Sequence, residues 1–200
     1  MIGHITGGLR NILDKTKDPR SFRKLNVGSS TNHIPGFLSV DKSWVATFRH
    51  DILNPLPLTG IQFIWSERLF EHLYFMDCST ALKHLADTLV PGGRVRLCLP
   101  LCYTNRPTDM MRQGNLANCR AQGHLTWFTF KDMGAICMDD YGFQDEPAFT
   151  VNMAELFGRA GLSYKPVRYY DEDNALHEED QMDSKYIIRP DSLIVEGVKL

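Results

Sequence analysis

Apolar residues in this chain fall in short dense runs separated by turns rich in Gly, Pro and Asn, with one stretch at clear helical spacing. Leu25 and Val27 run into Gly28, and Phe37, Leu38 and Val40 run into Asp41; 46–52, 61–66 and 94–99 supply three further strand-like runs. Two last strands are predicted at 162–169 and 192–199, which makes seven. The helical stripe is Ala81, Leu82, Leu85, Ala86 and Leu89. It predicts a helix over 77–89, capped by Asp77 and stopped by Pro91-Gly92-Gly93. An apolar turn of helix at 69–74 and a helix at 151–159 ended by a left-handed Gly161 complete the elements.

Strands alternating with crossovers predict an α/β domain with a mostly parallel sheet and helices on its faces. Ligands of such sheets bind at the carboxyl ends of the strands. Gly28, Asp41, Asp51 and Ser66 all fall at such ends. Residues 101–150 are less regular, mixing Asn, Gly, Pro, methionines and aromatics, and are expected to cap the ligand edge within a single domain spanning 1–200. The acidic stretch 171–183 reads as a solvated loop.

The stretch KLNVGSSTNHIPGFLSVD, 24–41, carries most of the chemistry. Glycine after an apolar strand lets the backbone turn sharply and approach a ligand, and a carboxylate ending the next strand can accept from two ribose hydroxyls. A dinucleotide fingerprint needs three glycines and an acid roughly 20 residues on. Here Ser29 and Ser30 stand where glycines would be and Asp41 follows Gly28 by 13 positions, so a pyrophosphate cradle and a nicotinamide-dependent oxidoreductase are disfavoured.

Composition removes other classes. The formal charge of −2 gives no global basic field for a large nucleic-acid partner, and the basic stretch 15–24 reads as a solvated lead-in. No apolar run approaches the roughly 18 residues of a membrane span, and the N-terminus lacks signal-peptide order, so a cytoplasmic location is expected. The five cysteines contain no C-x-x-C pair, which points to reduced thiols and to no metal site.

The segments LNVGSSTNHIPGFLSVD, HDILNPLPL, WSERLFEHL, LVPGGRVRLCLP and AELFGRAGL, with SLIVEGVK at the end, together resemble the class I S-adenosylmethionine (SAM)-dependent methyltransferases. Within them they are similar to a predicted-methyltransferase group resembling methyltransferase type 11. The resemblance implies a Rossmann-like class I methyltransferase fold, a mostly parallel seven-stranded sheet with helices on both faces, and SAM as cofactor. It implies that Gly28 and Ser29 lie against the methionine portion and ribose, and that Asp41 binds the ribose hydroxyls. Asp51 would accept from the adenine amine with the Ile52 N–H beside the ring, and Ser66 would lie near the methionine end. The Ser29 or Ser30 hydroxyl could donate to the cofactor's carboxylate.

Each residue also has a plainer reading. Asp41 could cap the next turn, Asp51 could fix the Asn54-Pro55 loop through its own backbone, and Glu71 could answer a helix start. His72 and His124 are candidate bases for an acceptor proton, though a lone histidine often just packs or faces solvent. Tyr103 could line the acceptor pocket, while Trp127, Phe128 and Phe130 fit the packing of a cap. Methyl transfer to a small molecule or sugar is the leading expectation; nucleic acid is disfavoured, because WSERLFEH stands where base-methylating enzymes carry Asn-Pro-Pro-Tyr or a related motif. The alternative is a catalytically inactive methyltransferase-like binding or assembly module.

Overall fold

The computed structural model describes residues 16–100, 125–128, 134–137, 149–170, 176–178 and 192–200. Its strands are β1 (Lys24–Val27), β2 (Leu38–Asp41), β3 (Phe48–Arg49), β4 (Ile61–Glu67), β5 (Leu89–Pro100), β6 (Thr126–Phe128), β7 (Gly134–Cys137), β8 (Phe149–Asn152), β9 (Lys165–Tyr170), β10 (Leu176–Glu178) and β11 (Ser192–Val198). The helices are α1 (Phe75–Thr88) and α2 (Met153–Arg159), with 3-10 turns at Pro19–Ser21 and Phe70–His72.

The main sheet has the order β3-β2-β1-β4-β5-β11-β9-β10. Strands β1 to β5 pair in parallel, β11 lies antiparallel to both β5 and β9, and β9 therefore runs with the parallel set. The seven expected strands are present and mostly parallel. An eighth, β10, is added antiparallel at the edge of β9. It falls inside the acidic stretch expected to be loop: Leu176–Glu178 pairs along Arg168–Tyr170, so a ready sheet edge outweighs local polarity there.

Side-chain alternation divides the sheet. Leu25, Val27, Leu38, Val40, Ile64, Val95, Leu97 and Val195 share one core with Cys78, Ala81, Leu82, Leu85 and Ala86 of α1 and with Leu156 and Phe157 of α2. Each fully buried Leu or Ile in such a core contributes roughly 1.5–3 kcal/mol. The second cluster, Phe37, Trp65, Cys98, Val167 and Ile194, contains no residue of α1 or α2. Both described helices thus pack in one core, and the expectation of helices on both faces is met for that side alone among the described residues.

Several element ends differ from the sequence reading. Helix α1 begins at Phe75 after an extended Tyr74, so Asp77 lies in its first turn rather than capping it, where its charge still favours the helix dipole. The helix stops at Thr88, because Pro91 disfavours a helical Val90. Pro91-Gly92-Gly93 does not separate helix from strand; it is an excursion inside β5, whose partners step from Ile61↔Leu89 to Phe63↔Arg94. Strand β3 keeps two residues of the seven expected, since it pairs only with Val40 and Asp41 at the sheet's edge. Helix α2 starts at Met153, its expected first residues being taken by β8. It does end on Gly161 at φ +73°, with Leu162 N–H donating to Phe157 O and Gly161 N–H to Gly158 O.

Strands β6, β7 and β8 make a separate antiparallel sheet in the region expected to cap the site. It is tied to the turn after β4: Leu125 N–H donates to Glu71 O at 2.6 Å and Thr126 Oγ1 to Leu73 O at 2.6 Å. No helix of the described residues is long and apolar enough to cross a membrane.

Candidate functional site

Four parallel strands end on one edge, and their last residues meet there. The first is β1, whose buried Leu25 and Val27 feed Gly28 at φ +71°. Gly28 N–H donates to Val40 O at 2.9 Å, which seats the turn on β2. A Cβ at Gly28 would lie 2.8 Å from both Cβ and Cδ2 of Leu69, so the concavity that glycine leaves is filled by the segment after β4. Ser29 is buried and its hydroxyl shares a hydrogen bond with Ser39 Oγ on β2, turned into the sheet. Ser30 takes the left-handed conformation, φ +43°. Asn26 Nδ2 donates to Asn32 O at 2.7 Å and Asn32 N–H to Ser29 O at 2.6 Å, which holds the crossing without a helix.

Asp41 ends β2 with both oxygens engaged. Oδ1 accepts from Ser43 N–H at 2.8 Å, the turn-capping role weighed above, while Oδ2 accepts from Ser30 N–H at 2.9 Å and joins the two strand ends. Asp51, just past β3, has the same double duty. Its Oδ1 accepts from Leu53 N–H at 3.1 Å and its backbone O from Asn54 N–H at 2.9 Å, fixing the loop before Pro55. Its Oδ2 lies 2.9 Å from Lys42 Nζ. Burial alone would raise the Asp51 pKa; the Lys42 hydrogen bond, the Leu53 N–H and the charges of Lys42 and His50 outweigh it, so the carboxyl lies below its ordinary 3.8. A carboxylate has about four acceptor positions, so each acid retains capacity for a ligand.

Ile52 is buried in the main core, and its carbonyl accepts from His84 Nδ1 of α1 at 3.0 Å. Ser66, in β4 between Val27 and Leu97, is buried, and its Oγ has no partner among the described residues. A buried hydroxyl without a partner costs about 1–3 kcal/mol, so this is a place where a polar ligand group would be stabilising. Past it, Arg68 is left-handed at φ +52° with its N–H on Cys98 O at 3.0 Å.

Gly28, Ser29, Asp41, Asp51, Ile52 and Ser66 thus gather at the ends of β1 to β4. His72 stands in the 3-10 turn beyond β4 and is exposed. Glu71 beside it is fully buried. Tyr103, His124 and Phe130 lie outside the described residues, and Trp127 and Phe128 are described only as backbone of β6. Lys42 was missed by sequence reasoning, as was the inward Ser29–Ser39 pair. The signal for Lys42 was its place: a cation one residue past one strand-end acid, beside a parallel strand that leads to a second.

No protein-family model matches the chain, and no curated protein matches it. Solved structures do. The chain is similar to a SAM-dependent methyltransferase from Thermotoga maritima at 13% identity and TM-score 0.55, over 98% of this chain and 91% of that one. It is similar to a SAM-dependent methyltransferase from Methanosarcina mazei at 10% identity and TM-score 0.51, over 94% and 97%. It also matches mitomycin 7-O-methyltransferase at 10% identity and TM-score 0.53, over 100% of this chain and 55% of that one. At these identities the likeness is one of fold. The chain has the Rossmann-like fold of the class I SAM-dependent methyltransferases.

Proposed function

We propose that this protein transfers a methyl group from SAM to a small-molecule acceptor, a sugar being one candidate. The observation that carries the reading is the placing of Asp41 and Asp51 at the adjoining ends of β2 and β3, beside the Gly28 turn, in this fold. Two carboxylates suit a ligand that presents ribose hydroxyls, an adenine amine and a positive sulfonium. The absence of a phosphate in that ligand matches a crossing without a helix. Ser66 Oγ, without a partner among the described residues, offers a hydroxyl at the next strand end. A small acceptor accords with two neighbours in fold, one named a possible histamine N-methyltransferase and one a mitomycin 7-O-methyltransferase.

Bound SAM would supply an electrophilic methyl carbon. Asp41 would orient the ribose, Asp51 the adenine, and the Gly28–Ser30 backbone the methionine side. That methyl carbon would be open to an acceptor's lone pair, with the sulfur as leaving group keeping the electrons of the carbon–sulfur bond. His72 or His124 is a candidate to take the acceptor's proton. Alignment of donor and acceptor alone can supply roughly 7–11 kcal/mol of the barrier, so the chain's main task is positioning.

Calorimetric titration with SAM and S-adenosylhomocysteine tests the reading, and no binding by the parent protein overturns it. A catalytically inactive binding or assembly module is the second reading, favoured by Leu69 filling the space beside Gly28. Cofactor binding without S-adenosylhomocysteine release across a broad acceptor panel would select it.

A further inference from the structure

The Lys42–Asp51 ion pair lies across the edge where the proposed adenosine would sit. Lys42 follows Asp41 directly, and Asp51 lies two residues past Arg49, the register partner of Asp41 on β3. The side chain of Lys42 therefore bridges from the end of β2 to the loop after β3, closing on Asp51 Oδ2 at 2.9 Å. Its own carbonyl accepts from Arg49 Nε at 3.0 Å, which fixes the stem at the base of that span. A ligand held at Asp41 by its ribose and at Asp51 by its adenine amine would have to run along the same line.

We propose that Lys42 is a latch on the adenine position: its ammonium competes for the Asp51 oxygen that the adenine amine would use, and adenosine binding is favoured when it swings out. This rests on the cofactor reading above. Lys42 is 72% exposed and Asp51 29%, so the pair is weak enough to open and its replacement does not disturb the core. Leu53 N–H holds Oδ1 independently, so Asp51 keeps its place when Lys42 leaves. Lys42 sets affinity by competition, and its removal should tighten binding rather than loosen it.

The test titrates S-adenosylhomocysteine, which has no net charge, into wild type, Lys42→Met and Lys42→Arg by calorimetry at low and high salt. Methionine keeps the stem and removes the charge; arginine keeps the charge. The expected result is binding roughly two- to five-fold tighter for Lys42→Met than for wild type at low salt, with Lys42→Arg close to wild type. The gap should narrow at high salt, where the pair is screened. Binding by wild type with equal or weaker binding by Lys42→Met overturns the latch and leaves the cofactor reading intact. Binding by neither protein overturns the cofactor reading and the latch with it.

Discussion

The N–H of Ser30 donates to Asp41 Oδ2 at 2.9 Å, so the turn leaving β1 and the last residue of β2 form one unit. The acid proposed to bind the ribose thus also shapes the loop beside it.

Asp41→Ala removes the acceptor of both Ser30 and Ser43 N–H groups. Both are at least partly solvated, so the cost in stability should be about 1–2 kcal/mol by denaturant unfolding. S-adenosylhomocysteine affinity should fall by about tenfold or more, an effect worth roughly 1.4 kcal/mol. Asp41→Asn keeps one oxygen and should recover part of each. Equal affinity for Asp41→Ala and wild type would remove Asp41 from the site.

Gly28→Ala meets two obstacles. An alanine at φ +71° costs about 1–2 kcal/mol from its own backbone, and its Cβ would lie 2.8 Å from Leu69 Cβ and Cδ2. The melting temperature should drop accordingly. A Leu69→Ala partner mutation should restore it only in part, because the Leu69 Cβ contact remains; full restoration would show that the branched end of Leu69 is the whole obstacle.

Glu196 is buried on β11 and receives Arg96 Nη2 at 2.6 Å and Nε at 3.0 Å from β5, directly across the ladder. Glu196→Ala leaves Arg96, 15% exposed, without that carboxylate, and should cost about 3 kcal/mol. Replacing both with Met and Leu should recover most of the loss, as desolvation of two charges is then avoided. Chemical denaturation of Glu196→Ala, of the double variant Arg96→Met with Glu196→Leu, and of wild type compares the two losses.

The Asp51 carboxyl has a folded pKa below 3.8, so its ionised form stabilises the fold above that pH and the contribution is lost as pH falls through the lower folded value. Wild type should exceed Asp51→Asn in stability at neutral pH, and the gap should close only below about pH 4. Acid titrations of the melting temperature for both proteins give the difference directly. A constant gap down to pH 2 would contradict a depressed Asp51.

Much of this was legible in the sequence because buried parallel strands need dense apolar runs. Leu25 and Val27, Phe37 to Val40, and Val95 to Leu99 could be read as such from composition alone. Gly28 and Gly161 followed because a left-handed turn after an apolar run favours glycine, and the acids could be placed at strand ends, where the turn- and loop-fixing roles weighed for them are found. What could not be read depends on partners distant in sequence. Leu176–Glu178 is a strand only because β9 offers an edge, and Pro91-Gly92-Gly93 is a bulge only because Gly92 N–H reaches Lys199 O and Lys199 N–H reaches Gly93 O. Residues 126–128, 134–137 and 149–152 pair with one another across gaps no local periodicity reveals. Lys42 escaped notice for the same reason: an exposed lysine has no signature until its partner is placed.

The crossing from Gly28 to Phe37 holds no helix, so no stack of aligned peptide dipoles points its positive end at the glycine turn. In sheets of this kind that positive end is what a phosphate meets. Charge is placed here instead by side chains, Asp41, Lys42 and Asp51 among them, at and just past the ends of β2 and of the edge strand β3. A field built from side chains can be redrawn by single substitutions without touching the backbone, so the charge preference of this edge is far more open to mutation than one fixed by a helix axis.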